Sequence, residues 1–184
     1  APSDHLIEDQ PLFEKTCLEA LDFTEKNNAF VTLGIKPTYA NTGYGYIEYE
    51  KTQMAVANHP VKRFTEKPTA EMAGVFIESG NFLWNAGIFI WKTKDIIEAF
   101  RNYMPEMFDI FICGVSEFNG PFEKAAVKHI FKYCESVSID YAIMEKAKNI
   151  FVIPADFTWS DLGTWNSAWE ISEKDNDQNA DAEV

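Results

Sequence analysis

Apolar positions in the first part of the chain recur at helical spacing. Leu12, Phe13, Cys17, Leu18 and Leu21 place a stripe along a segment that runs to about Glu25, the pattern of an amphipathic helix. Gln10-Pro11 opens it, at a position where proline's missing N–H costs nothing, and Asn27-Asn28 ends it. Phe30-Val31-Thr32-Leu33-Gly34-Ile35 is a short β-rich run that predicts a buried strand. Ala1 to His5 reads as the end of an earlier buried strand carrying one acidic residue. Strand, helix and strand in that order predict a parallel βαβ unit.

Beyond a loop from Lys36 to Asn41, alternation resumes. It predicts strands over 45–50, 54–58 and 61–65, with a hairpin across Lys51-Thr52-Gln53. Thr69 is placed to cap a helix over 70–78, and Ser79-Gly80-Asn81 closes it. Phe82 to Trp91 is nearly all apolar, apart from Asn85 and Gly87. Helices are predicted over 93–103, 105–116 and 121–133, and another over 139–148 behind a Ser138 cap. A strand at 150–153 and a helix at 164–172 follow, then an acidic tail from Glu173 to Val184 expected to be disordered. No repeat or interior linker interrupts the pattern, so residues 1–172 are expected to form one domain.

Composition narrows the function classes. Sixteen basic against 29 acidic residues leave a net charge of −13, which argues against a nucleic-acid partner with its need for a basic face. A nucleotide ligand is not excluded, because one lysine and one metal ion suffice for a diphosphate. Cys17, Cys113 and Cys134 are odd in number and widely spaced, as expected of reduced thiols in a cytoplasmic protein. The three histidines show no metal-ligand spacing. No apolar run approaches the roughly 18 residues of a membrane span.

Several residues are candidates for chemistry, each beside a plainer reading. Asp4 lies just after a presumed strand end, where open α/β sheets place ligands, but aspartate is also common in turns and caps. Asp161 sits in a tight turn before a helix and could cap it. Together the two carboxylates could hold Mg²⁺, which takes one or two carboxylates and leaves its other positions to water and phosphate. Gly43 and Gly45 bracket Tyr44. They allow close backbone approach to a ligand or simply form a strand-entry turn. Glu66 and Lys67 stand at a strand end stopped by Pro68, as a ligand-binding pair or a solvated one. Asn85 is an amide in an apolar strand, and a buried amide needs partners, either backbone groups or sugar hydroxyls. Asp140 lies near a helix start, where the dipole also favours a carboxylate.

Six words in order sharpen these readings. They are Pro2-Ser3-Asp4-His5, Thr42-Gly43-Tyr44-Gly45-Tyr46-Ile47, Phe64-Thr65-Glu66-Lys67-Pro68, Leu83-Trp84-Asn85-Ala86-Gly87-Ile88-Phe89, Ser138-Ile139-Asp140-Tyr141-Ala142-Ile143-Met144-Glu145-Lys146 and Trp159-Ser160-Asp161-Leu162-Gly163-Thr164-Trp165. With them the chain resembles the sugar-1-phosphate nucleotidyltransferases, most closely the mannose-1-phosphate guanylyltransferase branch, over residues 2 to 165. The resemblance implies an α/β, Rossmann-like nucleotide-diphospho-sugar transferase fold with a mixed central sheet flanked by helices. It implies GTP and mannose-1-phosphate as partners, with GMP transfer giving GDP-mannose and pyrophosphate. Mg²⁺ would sit on Asp4 and Asp161, and Lys67 would hold the sugar phosphate. Glu66 and Asn85 would bond sugar hydroxyls, Gly43, Tyr44 and Gly45 would line the sugar-nucleotide, and Asp140 is a further site candidate. Another sugar-1-phosphate, or a non-catalytic sugar-nucleotide-binding module, remains the alternative. The family's Gly-rich phosphate loop is expected upstream of these residues. This chain alone is therefore expected not to turn over, and to self-associate through strand edges left bare.

Overall fold

The computed structural model describes residues 1–51, 57–175, 177, 179 and 180. In chain order the elements are β1 (Leu6–Ile7), α1 (Gln10–Lys26), β2 (Phe30–Ile35), β3 (Tyr46–Tyr49), β4 (His59–Thr65), α2 (Ala70–Ser79), β5 (Phe82–Ile90), α3 (Thr93–Tyr103), α4 (Pro105–Gly114) and α5 (Glu123–Tyr133). A wide turn at Asp140–Met144, β6 (Ile150–Ala155), β7 (Trp159–Ser160) and α6 (Trp165–Ile171) complete them. The strand expected over 54–58, with its hairpin turn, lies largely outside the described residues.

The expected mixed central sheet is present, in the order β2-β5-β3-β4-β6. Only β2 and β6 run parallel, and the other pairs are antiparallel. β4 bends back to meet β6 at His59↔Val152 and Pro60↔Phe151, closing the sheet on itself. Every strand of this sheet therefore has a neighbour on each side, so the bare edges expected from the sequence are not found in the central sheet, while the two-stranded β1–β7 ladder keeps its outer edges.

Period-two alternation sorts the core into two layers. Val31, Leu33 and Ile35 of β2 join Trp84, Ala86 and Ile88 of β5 against Ala20 of α1 and Phe76 of α2. On the other face Phe30, Ile47, Leu83 and Val152 pack against Ala99 of α3 and Ala142 to Met144. On that second face Thr32 is wholly buried among apolar neighbours, and its hydroxyl reaches the half-buried Asn85.

Two further expectations fail. Ala1 to His5 form no strand, and Asp4 is exposed. Among the described residues the segment's one ladder is the two-residue antiparallel pairing of β1 with β7, so strand, helix and strand here make no parallel unit. The helix expected over 139–148 is a single wide turn, in which Glu145 N–H donates to the Asp140 carbonyl at 2.9 Å. Ala142, Ile143 and Met144 are buried in succession.

Candidate functional site

The site begins with a defect in the sheet. Between the pairs Thr32↔Phe89 and Gly34↔Asn85 the β2–β5 register shifts, so β5 carries extra residues around Gly87. Gly87 has φ +71, a left-handed conformation that glycine adopts without penalty. Its open Cα faces the Pro2 ring and His5. Bulges of this kind re-aim side chains beside active sites. Here Asn85 Oδ1 accepts from the Thr32 hydroxyl at 2.9 Å and from Gly87 N–H at 3.1 Å. Both oxygen contacts are donors, so the amide has one orientation, and its Nδ2 donates to Asp140 Oδ1 at 3.1 Å.

Glu66 and Lys67 follow the end of β4. Lys67 has φ +46, which turns the chain before Pro68. Its ammonium reaches Glu66 Oε1 at 3.0 Å, and the Glu66 N–H donates to Glu145 Oε1 at 3.1 Å. Burial raises the Glu66 carboxyl above the ordinary carboxylate range, partly offset by the hydrogen bond from Lys67. Burial likewise raises Asp140. The Lys67 ammonium is held above its usual value, first by its hydrogen bond to Glu66.

Gly45 joins this cluster to a second one. A Cβ there would lie 2.5 Å from Glu66 Oε2 and 3.3 Å from Asn85 Cβ. Its carbonyl accepts from Asn85 N–H at 2.8 Å. On its other side the Tyr44 hydroxyl donates to Asp161 Oδ1 at 3.0 Å. The Tyr44 ring stands edge-on to Trp84 and Trp159, with centroids 5.0 and 5.3 Å away. Burial, then the Asp161 charge, pushes the Tyr44 phenol far above its ordinary value. The Gly43 N–H is already engaged, donating to Asn41 Oδ1 at 2.8 Å.

Asp161 is not the helix cap that the sequence left open. α6 is capped by Thr164, in a reciprocal box with Ser167. The Asp161 carboxylate instead folds over its own turn, with Oδ1 accepting from Gly163 N–H at 3.0 Å. Asp4 and Asp161 belong to the same end of the β1–β7 ladder, which stops at Leu6↔Ser160. Asp4 lies two residues before that end and Asp161 one residue beyond it. No group of three or more metal-ligating side chains occurs among the described residues.

The Nucleotidyl transferase family matches residues 1–178. The chain belongs to that family. Among curated relatives of this nucleotidyl transferase chain, a mannose-1-phosphate guanylyltransferase of Sinorhizobium fredii is 38% identical over 185 residues, covering 100% of this chain and 35% of the relative. One from Escherichia coli is 34% identical over 180 residues, covering 96% and 38%. The chain thus spans little more than a third of the length of these relatives. A solved structure from Thermus thermophilus, described as a mannose-1-phosphate geranyltransferase, superposes with a TM-score of 0.79 at 28% identity. It covers 95% of this chain and 49% of that one.

Of the candidate residues, Gly45, Glu66, Lys67, Asn85 and Asp140 come together, and Tyr44 and Asp161 pair beside them. Asp4 makes no hydrogen bond or ion pair with these residues. Sequence reasoning missed Thr32, Asn41 and Glu145, which orient Asn85, Gly43 and Glu66 respectively. A threonine in the apolar run Phe30–Ile35 was the one available signal for Thr32.

Proposed function

We propose that this domain binds a sugar 1-phosphate and serves GMP transfer from GTP to mannose-1-phosphate, giving GDP-mannose and pyrophosphate. The observation that carries the reading is the convergence of Glu66, Lys67, Asn85 and Asp140 around Gly45. A cation stands beside two raised carboxylates and an oriented amide, a set of groups suited to one phosphate and several hydroxyls. Lys67 would exchange Glu66 for the sugar phosphate, freeing Glu66 to accept from a hydroxyl. Catalysis of this kind is mostly positioning and charge neutralisation. The names of the curated relatives favour mannose over another sugar.

The donor set also suits Mg²⁺. Asp161 Oδ1 is occupied by Tyr44 and Gly163, while Oδ2 takes no hydrogen bond among the described residues. Exposed Asp4 stands at the same ladder end, so two carboxylates would hold the ion. Bound there, Mg²⁺ would neutralise phosphate charge.

Calorimetric titration with mannose-1-phosphate tests the sugar half. Lys67→Ala should weaken binding by about tenfold or more, as hydrogen bonds between charged groups contribute about 1.5–3 kcal/mol. In a chain extended to the length of the curated relatives, GTP and mannose-1-phosphate should yield GDP-mannose. There Asp4→Ala or Asp161→Ala should lower kcat. Absence of mannose-1-phosphate binding by the wild-type chain would overturn the reading.

A further inference from the structure

We propose that Tyr44 is a positioning residue for Asp161, its hydroxyl and the bare Cα of Gly163 together fixing the carboxylate so that Oδ2 is presented to a divalent cation. The inference rests on the reading of Asp161 as a Mg²⁺ ligand given above. Three independent features hold this one side chain. The Tyr44 hydroxyl reaches Oδ1 at 3.0 Å from 117 residues away. Gly163 N–H donates to the same oxygen at 3.0 Å. A Cβ on residue 163 would lie 2.8 Å from Oδ2, so the carboxylate occupies space that only glycine leaves open. The turn itself is set by Leu162, at φ +52, whose N–H donates to Ser160 Oγ at 3.2 Å.

Tyr44 is in turn immobilised. Trp84 and Trp159 brace its ring edge-on. The loop before it is tied by Asn41, whose N–H donates to the Tyr46 hydroxyl at 3.0 Å and whose Oδ1 accepts from Gly43. Helix capping does not explain the arrangement, because Thr164 and Ser167 supply the cap. One carboxylate oxygen is thus saturated and the other left bare. Groups that orient metal ligands in this way typically contribute 10- to 100-fold in metal affinity.

Mn²⁺ binding to the chain, read by the loss of the free-ion electron paramagnetic resonance signal, tests this without turnover. Wild type should bind, and Asp161→Asn should abolish or nearly abolish binding. Tyr44→Phe keeps the ring between the two tryptophans and should weaken Mn²⁺ by about tenfold, with near-ultraviolet circular dichroism and the thermal midpoint close to wild type. Gly163→Ala, which displaces Oδ2 by another route, should weaken Mn²⁺ similarly. Equal Mn²⁺ affinity for wild type and Tyr44→Phe would overturn the inference. Equal affinity for wild type and Asp161→Asn, or no binding by wild type, would remove the metal reading itself and the inference with it.

Discussion

Replacing Asn85 with alanine removes the centre of a buried polar chain. Three hydrogen bonds disappear: Thr32 hydroxyl to Oδ1 at 2.9 Å, Gly87 N–H to Oδ1 at 3.1 Å, and Nδ2 to the Asp140 carboxylate at 3.1 Å. The first two are neutral, each contributing about 1 kcal/mol, and the third, to a charged group, contributes about 1.5–3 kcal/mol. The loss is therefore about 3–5 kcal/mol, because the wholly buried Thr32 hydroxyl has no water to turn to. For a chain of this length about 2–4 °C of Tm accompanies each kcal/mol, so a fall of about 6–20 °C is expected in a thermal melt. Thr32→Val, a near isostere, should cost about 1–3 kcal/mol, the penalty for stranding one buried partner. In a double-mutant cycle with urea as denaturant, Thr32→Val and Asn85→Ala should couple by about 0.5–3 kcal/mol, the range for residues in one hydrogen-bonded network. Purely additive losses, or an Asn85→Ala cost below about 1 kcal/mol, the size of one ordinary hydrogen bond, would refute the claim that this chain of contacts holds the bulge.

Other consequences are simpler to check. Gly45→Ala places a Cβ 2.5 Å from Glu66 Oε2. The Glu66 carboxylate must swing away, so calorimetry should show mannose-1-phosphate affinity falling about tenfold, or about 1.4 kcal/mol, with a smaller change in stability. Gly34→Ala drives a methyl against Leu83 Cδ1 at 2.6 Å and Val152 Cγ2 at 2.7 Å. Overpacking of this kind costs about 1–3 kcal/mol, and an unchanged urea midpoint would contradict it. Burial raises the Asp140 carboxyl, so in the window above its unfolded pKa of about 3.9 the native state binds more protons than the unfolded chain. Its contribution is present in acid and is lost as pH rises through the raised native value. Asp140→Asn should therefore gain stability relative to wild type between acid and neutral pH, and the opposite trend in denaturant midpoints would show that its hydrogen bonds outweigh desolvation.

Much of this arrangement was legible in the chain. Apolar spacing located α1, and β-rich runs located β2, β5 and β6, because those signals come from neighbours three or four residues apart, or two. Proline after Glu66-Lys67, and glycine on each side of Tyr44, marked the turns that carry the site. The resemblance carried by six ordered words placed the family, and the match over residues 1–178 agrees. Local pattern also misled. Asp140 to Met144 read as α-helix because a wide turn shares the helix's polar-then-apolar opening, and what separates the two is the Glu145 N–H bond to the Asp140 carbonyl five residues back.

What tertiary structure decided are the pairings between distant segments. Closure of β4 onto β6, the register shift opposite Thr32, and the meeting of Tyr44 with Asp161 join residues 53 to 117 positions apart. No periodicity encodes such pairings, because they arise from the shared packing of both sheet faces. The same holds for charge. Glu66 and Asp140 are ordinary carboxylates in the sequence, and become raised ones only because folding takes water away from them.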